Sequence, residues 1–128
     1  MQLVTSHARS GSRFLRACAG AAFAGLLAAL PLLLTTFWHA PPDWLPLLAV
    51  ALGPAWELGW YGMAWGETGA VLGALAIGIA LANALVYLPI GAAFAVTATL
   101  HVWLRRGVRT AAALATLGAA HLFFTWLP

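Results

Sequence analysis

The sequence predicts an all-α integral membrane protein, a small helical bundle, and three observations carry that prediction. Hydrophobic residues make up 63% of the chain and charged residues only 7%, whereas soluble domains carry about 25% charged residues. Apolar runs recur at the length that crosses a hydrocarbon core of roughly 30 Å, about 20 residues at 1.5 Å each. All six basic residues are arginines in two groups, Arg9, Arg13 and Arg16, then Arg105, Arg106 and Arg109. Such groups mark cytoplasmic flanks.

Residues 1–13 read as a cytoplasmic tail. The first span, 14–38, ends at "HAPPD". It exceeds the 7 to 15 apolar residues usual in a signal peptide and lacks a small-x-small cleavage site after it, so a retained anchor is expected. The second segment, 44–65, is interrupted by Gly53-Pro54, and proline suits the first turn of a new helix. It reads as a re-entrant hairpin or a fourth span. Re-entry keeps Glu57 away from mid-membrane, where an acidic residue costs roughly 2.5 to 3.5 kcal/mol.

The third run, 70–104, reads as one long helix kinked at Pro89, reaching about 52 Å, or as two short spans divided there. The last span is 108–127, after "RRGVR". The bundle thus has about three full transmembrane helices plus the re-entrant or fourth segment, with five spans as the alternative. Both arginine groups are expected inside, so the N-terminus is cytoplasmic and the C-terminus outside, with Asp43, Glu57 and Glu67 also outside. The expected location is the bacterial inner membrane, multi-pass.

Three helices carry small residues at four-residue spacing: Ala17, Ala21, Gly25 and Ala29; Ala74, Gly78 and Ala82; Ala111, Ala115 and Ala119. Such faces let helix backbones approach in lipid, where the hydrophobic effect does not draw helices together. They serve packing within the chain or docking to another subunit. Asn83 and Tyr87 share a face deep in the long run, the place for interhelical hydrogen bonds.

A polar cluster in the outer half, His39, Glu57, Glu67 and His121, is the candidate for proton handling or for a metal of mixed nitrogen and oxygen ligands. Nothing in its spacing is diagnostic of a metal. His101 and His121 differ in depth by about 12 Å when measured from "RRGVR", so one iron is not expected to join them. Cys18 is the single cysteine, which excludes an internal disulfide and a multi-cysteine metal cluster. No phosphate-binding glycine loop, nucleophile elbow or paired-histidine zinc motif occurs.

These observations point to a small polytopic inner-membrane protein, a non-catalytic accessory or assembly subunit with no catalytic residues, cofactor or metal of its own. Its expected partners are the lipid bilayer and either another membrane subunit or a second copy of itself, and not nucleic acid. An oligomeric proton- or cation-coupled transporter is the first alternative, and a membrane enzyme acting on lipid at the outer surface the second.

Overall fold

The computed structural model describes residues 2–31, 34, 40, 42–58 and 69–127. Among them are four α-helices and no strand. Two of the helices contain stretches long and apolar enough to cross a membrane, Ala74–Val96 and Val102–Thr125.

Helix α1, Gln2–Ala28, begins well inside the expected tail. Three glycines, Gly11, Gly20 and Gly25, weaken its helical propensity. On its polar part the Arg16 guanidinium donates to the Ser12 carbonyl and hydroxyl one turn back, at 3.2 and 3.3 Å. A turn follows at Ala29, which donates to the carbonyl of Leu26, three residues back, and Leu30, Pro31 and Leu34 are helical again. The rest of the expected first span, 32–33 and 35–38, lies outside the described residues.

Helix α2, Trp44–Leu52, has nine residues and reaches about 14 Å, half a hydrocarbon core. It ends where the sequence places the interruption. The Gly53 amide closes the last turn on the Ala49 carbonyl at 3.0 Å, and a 3₁₀ turn, Pro54–Glu57, follows. The expected continuation of this segment, 59–65, lies outside the described residues.

Helix α3, Gly69–Val96, runs unbroken through Pro89, so the chain does not turn at "VYLPIGAA". It is also shorter than expected. The helix ends at Val96 instead of Leu104, and the turn to helix α4, Val102–Thr125, spans Thr97 to His101. "RRGVR" is therefore the start of α4 and not the hairpin. The physical reason is local: the Ala93 carbonyl takes both the amide and the hydroxyl of Thr97, at 3.1 and 2.6 Å, the next bonds tighten to three-residue turns from Ala98 to Ala95 and from Leu100 to Thr97, and Arg109 caps the freed Phe94 carbonyl. At 28 residues α3 measures about 42 Å, which removes the need for a 35-residue helix to fit one bilayer.

The core is built on small residues. Gly25 of α1 lies against the backbone of Asn83 and Ala84, so close that a Cβ there would stand 2.5 Å from the Asn83 carbonyl oxygen. Gly91 of α3 lies against Ala17, Cys18 and Ala21, at 2.7 Å from the Ala17 oxygen by the same measure. As the α1 number rises the α3 number falls, so the two helices are antiparallel. This also brings Arg13 and Arg16 level with the end of α3. The two arginine groups share one end of the bundle.

Ala28, Ala29, Leu45, Ala49, Ala55 and Ile79 are buried around the junction of α1, α2 and α3. The small-residue face of α1 is thus an internal interface. Those of the other two helices are not: nothing lies within 4 Å of a Cβ at Gly78, Ala74 is exposed and Ala82 half-buried, and Ala111, Ala115 and Ala119 are all exposed. On α3 the surface that receives α1 carries Asn83, Ala84 and Gly91 instead. The four-residue rule found stripes of small residues, but a glycine and an alanine seven residues apart, on one side of the same helix, do the packing.

Candidate functional site

The most organised polar site lies where α2 breaks. A chain that ends one helix and begins another leaves backbone groups without partners, and in an apolar setting each of them needs one. At this break both amides next to the turn and the last carbonyl of α2 find partners. Gly53 donates to Ala49; Pro54 has no amide hydrogen. Ala55, the first amide of the 3₁₀ turn, donates to Asn83 Oδ1 at 3.0 Å. The Tyr87 hydroxyl donates to the carbonyl of Leu52, the last residue of α2, at 2.7 Å. Asn83 and Tyr87, four residues apart on one face of α3, therefore hold the two ends of the break.

The site is shut. Asn83 is 1% exposed and Ala55 0%. Gly53 is favoured by contact and not by its backbone angles, φ −120° and ψ 73°, since a Cβ would stand 2.9 Å from Asn83 Nδ2, 3.1 Å from the Ala49 oxygen and 3.3 Å from the Ala28 oxygen. Asn83 Nδ2 itself has no hydrogen-bond partner among the described residues. Within the apolar stretch Ala74–Val96, Asn83 stands about 14 Å from one end and about 20 Å from the other. The break is near the middle of the stretch.

A second polar site closes the turn between α3 and α4. Arg109 reaches back across it: Nε donates to Thr97 Oγ1 at 2.9 Å, a terminal guanidinium nitrogen donates to the Phe94 carbonyl at 2.8 Å, and the guanidinium lies 4.3 Å from the Phe94 ring centroid. Arg105 donates to the Ala98 carbonyl at 3.4 Å. Cations at the carbonyl end of a helix meet both its unpaired acceptors and its negative dipole end. Two arginines expected only as topology anchors are therefore part of the fold. The signal for it was in the sequence: Thr97 and Thr99 are the polar interruption in the run before these arginines.

The expected outer cluster is not assembled by the described residues. His39 and Glu67 lie outside them. Glu57 ends the 3₁₀ turn. His121, in α4, is half-buried, and its carbonyl accepts from Thr125 Oγ1 at 2.8 Å. No group of three or more metal-ligating side chains occurs among the described residues. His101 precedes α4 and His121 stands twenty residues on along the same helix, about 30 Å away. Their separation exceeds the 12 Å expected from the sequence, because the turn comes before His101.

Searches against protein-family models, curated proteins and solved structures return no match for this chain.

Proposed function

We propose that the chain is an integral protein of the bacterial inner membrane that serves as a non-catalytic accessory or assembly subunit, offering its outer helical faces to another membrane subunit or to a second copy. The observation that carries this reading is α4. It has 24 residues and none of them is buried. Its exposed surface combines the small residues Ala111, Ala115 and Ala119 with Leu114, Leu122 and Phe123. Small residues beside large apolar ones suit close helix packing in lipid.

The topology follows the arginines: N-terminus and the α3–α4 turn in the cytoplasm, C-terminus outside. Trp103 and Trp126, at opposite ends of α4 and both exposed, lie about 35 Å apart, close to the spacing of the two interfaces where tryptophan collects. The break at Gly53-Pro54 then lies at mid-depth as the turn of a re-entrant hairpin covered by α3, which sets Glu57, at the end of the 3₁₀ turn, within about 6 Å of that depth instead of clear of it as the sequence predicts.

Native-mass analysis of mild-detergent extracts tests the subunit reading: a complex larger than one chain is expected, and a monomer at all mild-detergent conditions refutes it. Topology is tested separately by impermeant thiol labelling of Thr68→Cys in a Cys18→Ala background. Labelling on intact cells is expected, and protection refutes the orientation.

A further inference from the structure

We propose that the arginine end of the bundle is a binding site for anionic phospholipid, with Arg13, Arg16 and Arg106 taking the headgroup phosphate. The inference rests on the membrane placement above and adds to it a ligand, a set of residues and a selectivity.

The arginines divide by what they already hold. Arg109 and Arg105 are engaged with the carbonyls and hydroxyl that close the α3–α4 turn. Arg13 is exposed. Arg16 bonds only to Ser12 of its own helix, and Arg106 lies over the Trp103 ring at 5.8 Å. These last three are exposed and none of them takes part in the bonds that close the α3–α4 turn, and the antiparallel pairing of α1 with α3 puts all of them at one end.

No carboxylate answers them. The chain has three acidic residues, Asp43, Glu57 and Glu67, and the stretches 1–42 and 68–128 contain none. The counter-charge at this end must come from another molecule. Its shape is indicated by what stands between the arginines: Phe14 and Leu15 between Arg13 and Arg16, and Trp103 and Leu104 before Arg105, all substantially exposed, Leu15 at 70% and Trp103 at 74%. Basic and apolar side chains alternate along the same short segments. A free anion satisfies only the first kind, whereas a phosphate carried on acyl chains satisfies both. Guanidinium forks match phosphate oxygens in pairs, which lysine does not.

The test uses the full chain in phosphatidylcholine micelles doped with phosphatidylglycerol, with retained lipid read by native mass spectrometry. The parent is expected to retain phosphatidylglycerol in preference. Each arginine changed to glutamine should lower that preference about fivefold, and the triple variant R13Q/R16Q/R106Q about a hundredfold, with melting temperature and helix content unchanged because the α3–α4 turn keeps Arg105 and Arg109. The single variant Arg106→Gln provides the same reading if the triple variant does not fold. Equal retention of the two lipids by the parent overturns the proposal, as does undiminished preference in the variants. Displacement of the lipid by excess inorganic phosphate also overturns it, in favour of a small-anion site. Release of the protein from native membranes by alkaline carbonate is a different failure, that of the membrane reading itself.

Discussion

Gly25→Ala should part the two best-packed helices, and the structure sets the size of the effect. An added Cβ would stand 2.5 Å from the Asn83 carbonyl oxygen, 2.8 Å from the Ala84 Cα and 2.9 Å from the Asn83 carbonyl carbon, where ordinary contact begins near 3.4 Å. All three neighbours are backbone, so no side chain can swing aside, and α1 and α3 must separate by about 0.9 Å at the closest point. Overpacking of this kind costs about 1 to 3 kcal/mol. The displaced residue is also the one that holds the break, and stretching the 3.0 Å bond from Ala55 to Asn83 by a comparable amount forfeits about 0.5 to 1.5 kcal/mol more. A loss of about 1.5 to 4.5 kcal/mol is expected, read from thermal or denaturant unfolding in detergent followed by circular dichroism. Gly20→Ala is the control, on the same helix with nothing within 4 Å, and should be neutral or stabilising by up to about 1 kcal/mol. If Gly25→Ala unfolds with the parent, or Gly20→Ala matches its loss, the close-contact argument is wrong.

Asn83→Ala leaves the wholly buried Ala55 amide without an acceptor and should cost about 1 to 3 kcal/mol, while Tyr87→Phe, losing one bond to the Leu52 carbonyl, should cost about 0.6 to 2 kcal/mol; the same unfolding assay checks both, and wild-type stability in Asn83→Ala refutes the clamp. Arg109→Gln should destabilise by about 1.5 to 3 kcal/mol through its charged hydrogen bonds to Thr97 and Phe94, with Arg109→Lys recovering only part, and equal stability of the lysine variant and the parent would show that charge alone matters. Gly78→Leu should leave helix content and unfolding unchanged, since the site is open, yet shift migration in native gels by blocking a neighbouring helix; parental migration removes that face as an interface.

The sequence carried the helical class, the break at Gly53-Pro54 and the importance of Asn83 and Tyr87, because each rests on a short-range rule: apolar length, a proline without a donor, a polar group that must find a partner in apolar surroundings. It did not carry the partners. That Asn83 would meet Ala55 and Tyr87 would meet Leu52 depends on how α3 lies against α2, which no spacing encodes. The end of α3 is not legible because hydropathy treats Thr97 and Thr99 as mild interruptions, whereas an arginine twelve residues after Thr97 bonds its hydroxyl and the Phe94 carbonyl and so closes a turn. The small-residue faces were half legible for a similar reason: glycine spacing reveals where a backbone can approach and not which neighbour does so.

The bonds that secure the break also fix an order of events during synthesis. Ala55 precedes its acceptor by 28 residues and Leu52 precedes its donor by 35, so the segment from Trp44 to Glu57 leaves the ribosome before the groups that complete it. At about 5 to 20 residues per second, the Leu52 carbonyl waits roughly 2 to 7 s for Tyr87. On the membrane placement proposed above, the α2 segment would remain over that interval in the insertion machinery or at the water boundary, where its unpaired backbone groups can be hydrated. Arrival of α3 is then the step that draws it into place, and a chain truncated before Asn83 would leave α2 at the surface.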